Sequence, residues 1–245
     1  MRINFAGVVA DAWGLFRRDS DLLLRVAGPF MFLPAFALTL FVPPMPMPDG
    51  TITDREAQAQ QWADAVTNWV GGYGIGFGGA HLLVYFGVAV VMALYLDPAR
   101  PDLRGAMRRA LSIYPRFVLA MILVSIPAGL GMWLVIPGLY ILGRTMLTAP
   151  ALLADAGTGA WTAIRRSLSL TRGSGLTLMG LAAFVYLVGL LGGQPFMLLD
   201  TWMRSTGAPN PVAVAVVDAA ASTVAMITQL ALALMAVSVY RRLAR

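Results

Sequence analysis

Six stretches of this chain are each long and apolar enough to cross a lipid bilayer, and that requirement leaves few folds open. A helix needs about 20 mainly apolar residues to span the hydrocarbon core; residues 22–42, 77–96, 117–135, 137–153, 175–193 and 211–240 meet it, the fourth with little to spare. With 58% of its 245 residues apolar, only 12% charged and a mean hydropathy of +0.73, the chain has too few charges to cover such a surface in water. The sequence therefore predicts an all-α, polytopic membrane bundle of six transmembrane helices, one membrane domain over residues 1–245, with amphipathic interfacial helices beside it.

The charges orient the bundle. All 18 basic residues are arginine, a choice that suits phosphate but that a GC-rich coding bias would equally produce. With the N-terminus inside, the inner face collects Arg2, Arg17, Arg18, Arg25, Arg100, Arg104, Arg108, Arg109, Arg116, Arg165, Arg166, Arg172, Arg241, Arg242 and Arg245. Short cytoplasmic loops carry such an excess, so both termini are expected on the cytoplasmic side. A net charge of +6 without any stacking platform gives no support to nucleic-acid binding. The chain has no cysteine, which removes disulfides and thiol chemistry.

Local signals fill in the loops. Thr53 with Glu56 reads as a capping box, and Trp62, Val66, Trp69 and Val70 then recur at helical spacing, which predicts a separate interfacial helix on the outer surface. The glycines from Gly71 to Gly79 predict a break before the second span, and Pro127, Pro137 and Pro150 predict further interruptions. Asn210 before Pro211 should cap the last helix.

An internal similarity stands out. Ala106-Met107-Arg108-Arg109-Ala110-Leu111-Ser112-Ile113 overlays Ala163-Ile164-Arg165-Arg166-Ser167-Leu168-Ser169-Leu170 at a displacement of 57 residues. Both are amphipathic, with arginines beside an apolar stripe. The N-terminus has the same spacing in Phe5, Val8, Val9, Ala12, Trp13 and Phe16, followed by Arg17 and Arg18. The chain thus parses into units 1–96, 100–154 and 158–241, each an inner-surface helix followed by a transmembrane hairpin. Independent convergence of basic surface helices would give the same pattern.

Ile136-Pro137-Gly138-Leu139-Tyr140, Arg144, Pro150, Asp155, Gly157 and the run from Ala163 to Gly173 carry a resemblance to a bacterial family. The chain resembles the membrane domain attached to some glycerophosphoryl diester phosphodiesterases and its stand-alone six-span relatives, in which glutamate usually stands at the place of Asp155. The resemblance implies architecture and an inner membrane, but the soluble phosphodiesterase domain is missing, so its activity is not implied.

Few residues suggest chemistry. Arg144 and Asp218 fall at similar depth from the outer ends of the fourth and sixth spans, which suggests an ion pair, either a staple between helices or an anion or proton site. His81 is the one histidine and cannot make a metal site alone; Gln229 suits an interhelical hydrogen bond. Gly74, Gly76 and Gly79 have dinucleotide-loop spacing without the strand that motif needs, and the potassium-filter likeness of Gly72-Tyr73-Gly74 lacks the filter threonine and valine. No catalytic set can be assembled, and no metal or cofactor is expected. The expectation is a non-enzymatic accessory or scaffold subunit, or a lipid-organising factor. It would bind anionic membrane lipids, a membrane-protein partner or a second copy through Arg17, Arg18, Arg104, Arg108, Arg109, Arg165, Arg166 and Arg172. The alternative is a small permease with a site near Arg144 and Asp218.

Overall fold

A computed structural model describes residues 3–97, 101–155, 157–205 and 210–244; Arg2, Arg100 and Arg245 of the inner-face set lie outside them. Six of its helical segments are long and apolar enough to cross a membrane, and among the described residues there is no strand. The protein is an all-α, multi-pass membrane bundle.

The first segment joins surface helix and span. Helix α1 (Phe5–Ala27) is continuous except at Asp19, whose φ of −119° and ψ of 24° leave the helical region and kink it. A π-helical turn (Gly28–Phe32) then leads into α2 (Leu33–Phe41), where Pro29 and Pro34 each withhold a backbone donor.

The second segment corrects the sequence reading. Helix α3 (Arg55–Leu96) runs unbroken for 42 residues, through the glycines from Gly71 to Gly79. Its cap is the Asp54 carboxylate, which accepts from Glu56 N at 2.9 Å, rather than Thr53. Glycine weakens a helix without forbidding it, at about 1 kcal/mol each, and at 1.5 Å per residue α3 reaches about 63 Å, twice the hydrocarbon thickness. Its projecting end is tied down by two indoles: Trp62 Nε1 donates to Pro46 O and Trp69 Nε1 to Pro43 O.

Helix α4 (Leu103–Met132) likewise fuses surface helix and span, with Pro115 and Pro127 inside it, so no break occurs at Pro127. The chain reverses over 133–135. Val135, at φ 56° and ψ −65°, forms the centre of a γ-turn in which Ile136 N donates to Leu134 O at 2.6 Å. This left-handed conformation in a β-branched residue stores roughly 1–3 kcal/mol. The return is split into α5 (Ile136–Thr145) and α6 (Thr148–Ala154). Pro150 cannot donate to Met146 and its ring crowds that carbonyl, which places the break there.

A short surface helix, α7 (Ala160–Leu170), precedes α8 (Gly175–Ser205) and α9 (Pro211–Leu243). The Asn210 side chain accepts from Val212 N and Ala213 N, capping α9 as its sequence foretells. Helix α1 packs on α9, α4 on α3 and α7 on α6.

The core is concentrated towards the arginine-rich end. In α3 the buried residues are Trp69, Gly87 and 89–93, in α8 they lie between Gly175 and Val185, and in α9 they crowd between Leu230 and Tyr240. The opposite halves of α3, α4 and α8 are largely open to their surroundings.

Candidate functional site

The basic helices gather at one end of the bundle, and the second arginine of each pair is held by an aspartate. Arg18 pairs with Asp19 at 2.8 Å, and Asp19 also accepts from the Tyr95 hydroxyl at 2.9 Å. Arg109 faces Asp97 at 3.8 Å while donating to Leu153 O at 3.1 Å. Arg166 faces Asp155, also at 3.8 Å. Asp155 turns its carboxylate back on its own loop, accepting from Gly157 N at 3.1 Å. That bond, then one from the Thr158 hydroxyl, holds its pKa below the usual aspartate value, so the turn stays charged at neutral pH.

The first arginine of each pair is different. Arg17, Arg108 and Arg165 are exposed and make no ion pair among the described residues. Arg165 lies over the Trp161 ring at 5.3 Å. Arg104 and Arg172 are exposed at the same end and also lack a carboxylate partner among the described residues.

The chain's two described ends close the ring here. Arg242 grips Asp11, its Nη2 at 2.5 Å and its Nε at 2.9 Å, while Arg241 donates to Tyr95 O at 2.6 Å and sits over the Tyr95 ring. Between α1 and α9 lies a 610 Å³ cavity lined by Asp11, Arg18, Arg241 and Arg242. Beside it, on the apolar side of α1, an apolar groove of 590 Å³ runs between Trp13 and Phe16 of α1 and Met226, Leu230 and Leu234 of α9. A smaller groove of 360 Å³ lies between Trp161 and Ile164 of α7 and Leu123 and Pro127 of α4, with Arg144 in its wall.

Arg144 and Asp218 do not meet. The Arg144 guanidinium donates to Leu168 O at 2.7 Å and Thr171 O at 3.2 Å, closing the last turn of α7 beside Gly175, the first residue of α8. Asp218 is 2% exposed and accepts from Arg204 at 2.8 Å, near the last residue of α8. The two sites are thus separated by nearly the length of that helix, about 45 Å at 1.5 Å per residue. The matched depth inferred from sequence fails because α5 ends at Thr145 and the α7–α8 turn reaches Arg144. Arg204 also binds Asp200 at 2.6 Å and reaches Thr39 O. With Thr39 and Ser222 in contact at 3.2 Å, this clasp fastens α2, α8 and α9 together. The i,i+4 spacing of Asp200 and Arg204 was its one sequence signal; nothing local pointed to Asp218. Arg144 stands in the wall of the 360 Å³ groove, which Asp218 does not line.

His81 Nδ1 bonds within its own helix to Phe77 O at 2.8 Å, with its ring 4.2 Å from that of Phe77. Gln229 lines a 250 Å³ cavity with Thr145, Met146 and Tyr186, beside the α5–α6 break. Among the described residues, no three histidine, cysteine, aspartate or glutamate side chains cluster as metal ligands would.

Fold and site together define a multi-pass α-helical membrane protein with three basic helices at one end. No known family model, curated protein or solved structure matches this chain.

Proposed function

We propose that the chain is a non-enzymatic integral protein of the bacterial inner membrane, an accessory or scaffold subunit whose basic helices bind anionic lipid head groups at the cytoplasmic face. A membrane-protein partner, or a second copy, would be recruited on the same surface. The observation that carries this reading is the trio Arg17, Arg108 and Arg165. Each stands on a different basic helix, exposed, with no carboxylate to neutralise it among the described residues. Guanidinium groups without a carboxylate partner are suited to phosphate, and juxtamembrane arginines are drawn to anionic leaflets. Orientation follows from the same charges, since cytoplasmic ends carry the arginine excess.

The test is native mass spectrometry from mild detergent, comparing the unaltered protein with an Arg17→Gln, Arg108→Gln, Arg165→Gln variant. One basic group near an anionic surface is worth about 1 kcal/mol, so each site that loses its arginine should hold phosphatidylglycerol or cardiolipin about five-fold more weakly. An unchanged lipid profile would remove the proposal.

A further inference from the structure

The first and third basic helices share more than two arginines. Ala12-Trp13 and Phe16-Arg17-Arg18 recur as Ala160-Trp161 and Ile164-Arg165-Arg166, in the same order and spacing. The structure gives both copies the same surroundings. Each tryptophan is 58% exposed and lines a groove, almost wholly apolar at Trp13 and with Arg144 in its wall at Trp161, with Phe16 or Ile164 one turn on beside it. The arginine after that residue is exposed, and its neighbour is held by an aspartate. The middle helix, although it matches the third from Ala106 onward, has Arg104 at the tryptophan's place.

We infer that these two helices each seat one anionic phospholipid, its phosphate on Arg17 or Arg165 and an acyl chain in the groove under Trp13 or Trp161. The inference rests on the lipid-binding reading above and adds the two seats and their residues. The occupant follows from the lining and the charge. The groove under Trp13 is almost wholly apolar, formed by Phe16, Met226, Leu230 and Leu234, so it suits a hydrocarbon chain and offers no hydrogen bonds to a peptide backbone or sugar. It lies where a surface helix turns at Asp19 into a transmembrane segment, so its floor faces the leaflet that the arginines border. Arg18 and Arg166 are engaged by Asp19 and Asp155, and the adjacent guanidinium remains for the phosphate.

Two single-tryptophan proteins, keeping Trp13 or Trp161 with the other tryptophans changed to phenylalanine, would be reconstituted in phosphatidylcholine vesicles. The vesicles carry a minor fraction of phosphatidylglycerol brominated in mid-chain, or the same fraction of brominated phosphatidylcholine. Bromine quenches an indole it touches. Both tryptophans should be quenched preferentially by the anionic lipid, by about five-fold in apparent affinity, the worth of one basic group at such a surface. Arg17→Gln should abolish the preference at Trp13 and leave Trp161 unchanged, and Arg165→Gln the reverse; Arg17→Lys should keep most of it. Ala231→Phe, which fills the first groove, should cut quenching at Trp13 with Arg17 intact. Equal quenching by the two lipids, or a preference that survives Arg17→Gln, overturns the inference. If anionic lipid is still retained in the mass spectra, only these seats fall; if none is retained, the lipid-binding reading falls with them.

Discussion

The Arg144 guanidinium supplies the donors that the last carbonyls of α7 lack, and Ser167 Oγ in return donates to Arg144 O at 2.8 Å. A short surface helix is thereby fastened to a transmembrane one by a charged C-cap. Arg144→Ala should lower stability by about 2 kcal/mol, the worth of hydrogen bonds to a charged group, and Arg144→Lys by less, since an ammonium satisfies fewer acceptors in a fixed plane. Thermal unfolding in detergent reads the difference, and an unchanged midpoint for the alanine variant would contradict the capping role. Sequence alone shows that an arginine within an apolar segment needs acceptors. It cannot show that those acceptors are backbone carbonyls, because every residue has one. For the same reason the clasp of Arg204 on Asp218 was invisible, its partners being 14 residues apart on different helices.

At the level of the helices, glycine has two opposite meanings here. A Cβ on Gly143 would meet Met179 N at 2.6 Å and the Leu178 carbonyl carbon at 2.7 Å, so α5 lies directly on the α8 backbone. A Cβ on Gly76 would meet nothing within 4 Å. Gly143→Ala should therefore cost about 1–3 kcal/mol through overpacking, whereas Gly76→Ala should be neutral or add up to about 1 kcal/mol by favouring the helix. Equal effects in chemical or thermal unfolding would refute this contrast. The spans were legible because about 20 apolar residues leave little choice in hydrocarbon. The glycine run of α3 was misread because glycine permits a break without dictating one. The interruption expected at Pro150 is found between α5 and α6, whereas Pro115 and Pro127 lie inside unbroken α4, so a missing donor also permits a break without dictating one.

Over the whole molecule, charge and packing lie at the same end. The buried core between α3, α4, α6 and α9 sits just beneath the basic helices, and the Asp11–Arg242 bridge joins the first helix to the last. Such an arrangement makes a firm platform on one side of the membrane and leaves helices accessible to lipid on the other. The arginine-rich character of the surface helices was legible from the sequence, since charge patterning needs no knowledge of contacts. The grooves were not, because each joins residues from segments far apart along the chain. The natural absence of cysteine allows the polarity to be measured directly. Single cysteines at Gly14, Ser112 and Ser169, one on each basic helix, would be treated in intact cells with a membrane-impermeant maleimide, with Thr53 and Ser205 as sites at the opposite end. The last two should be labelled in intact cells and the first three only after the membrane is opened. Labelling of any basic-helix site from outside, or a split among the three, would contradict it.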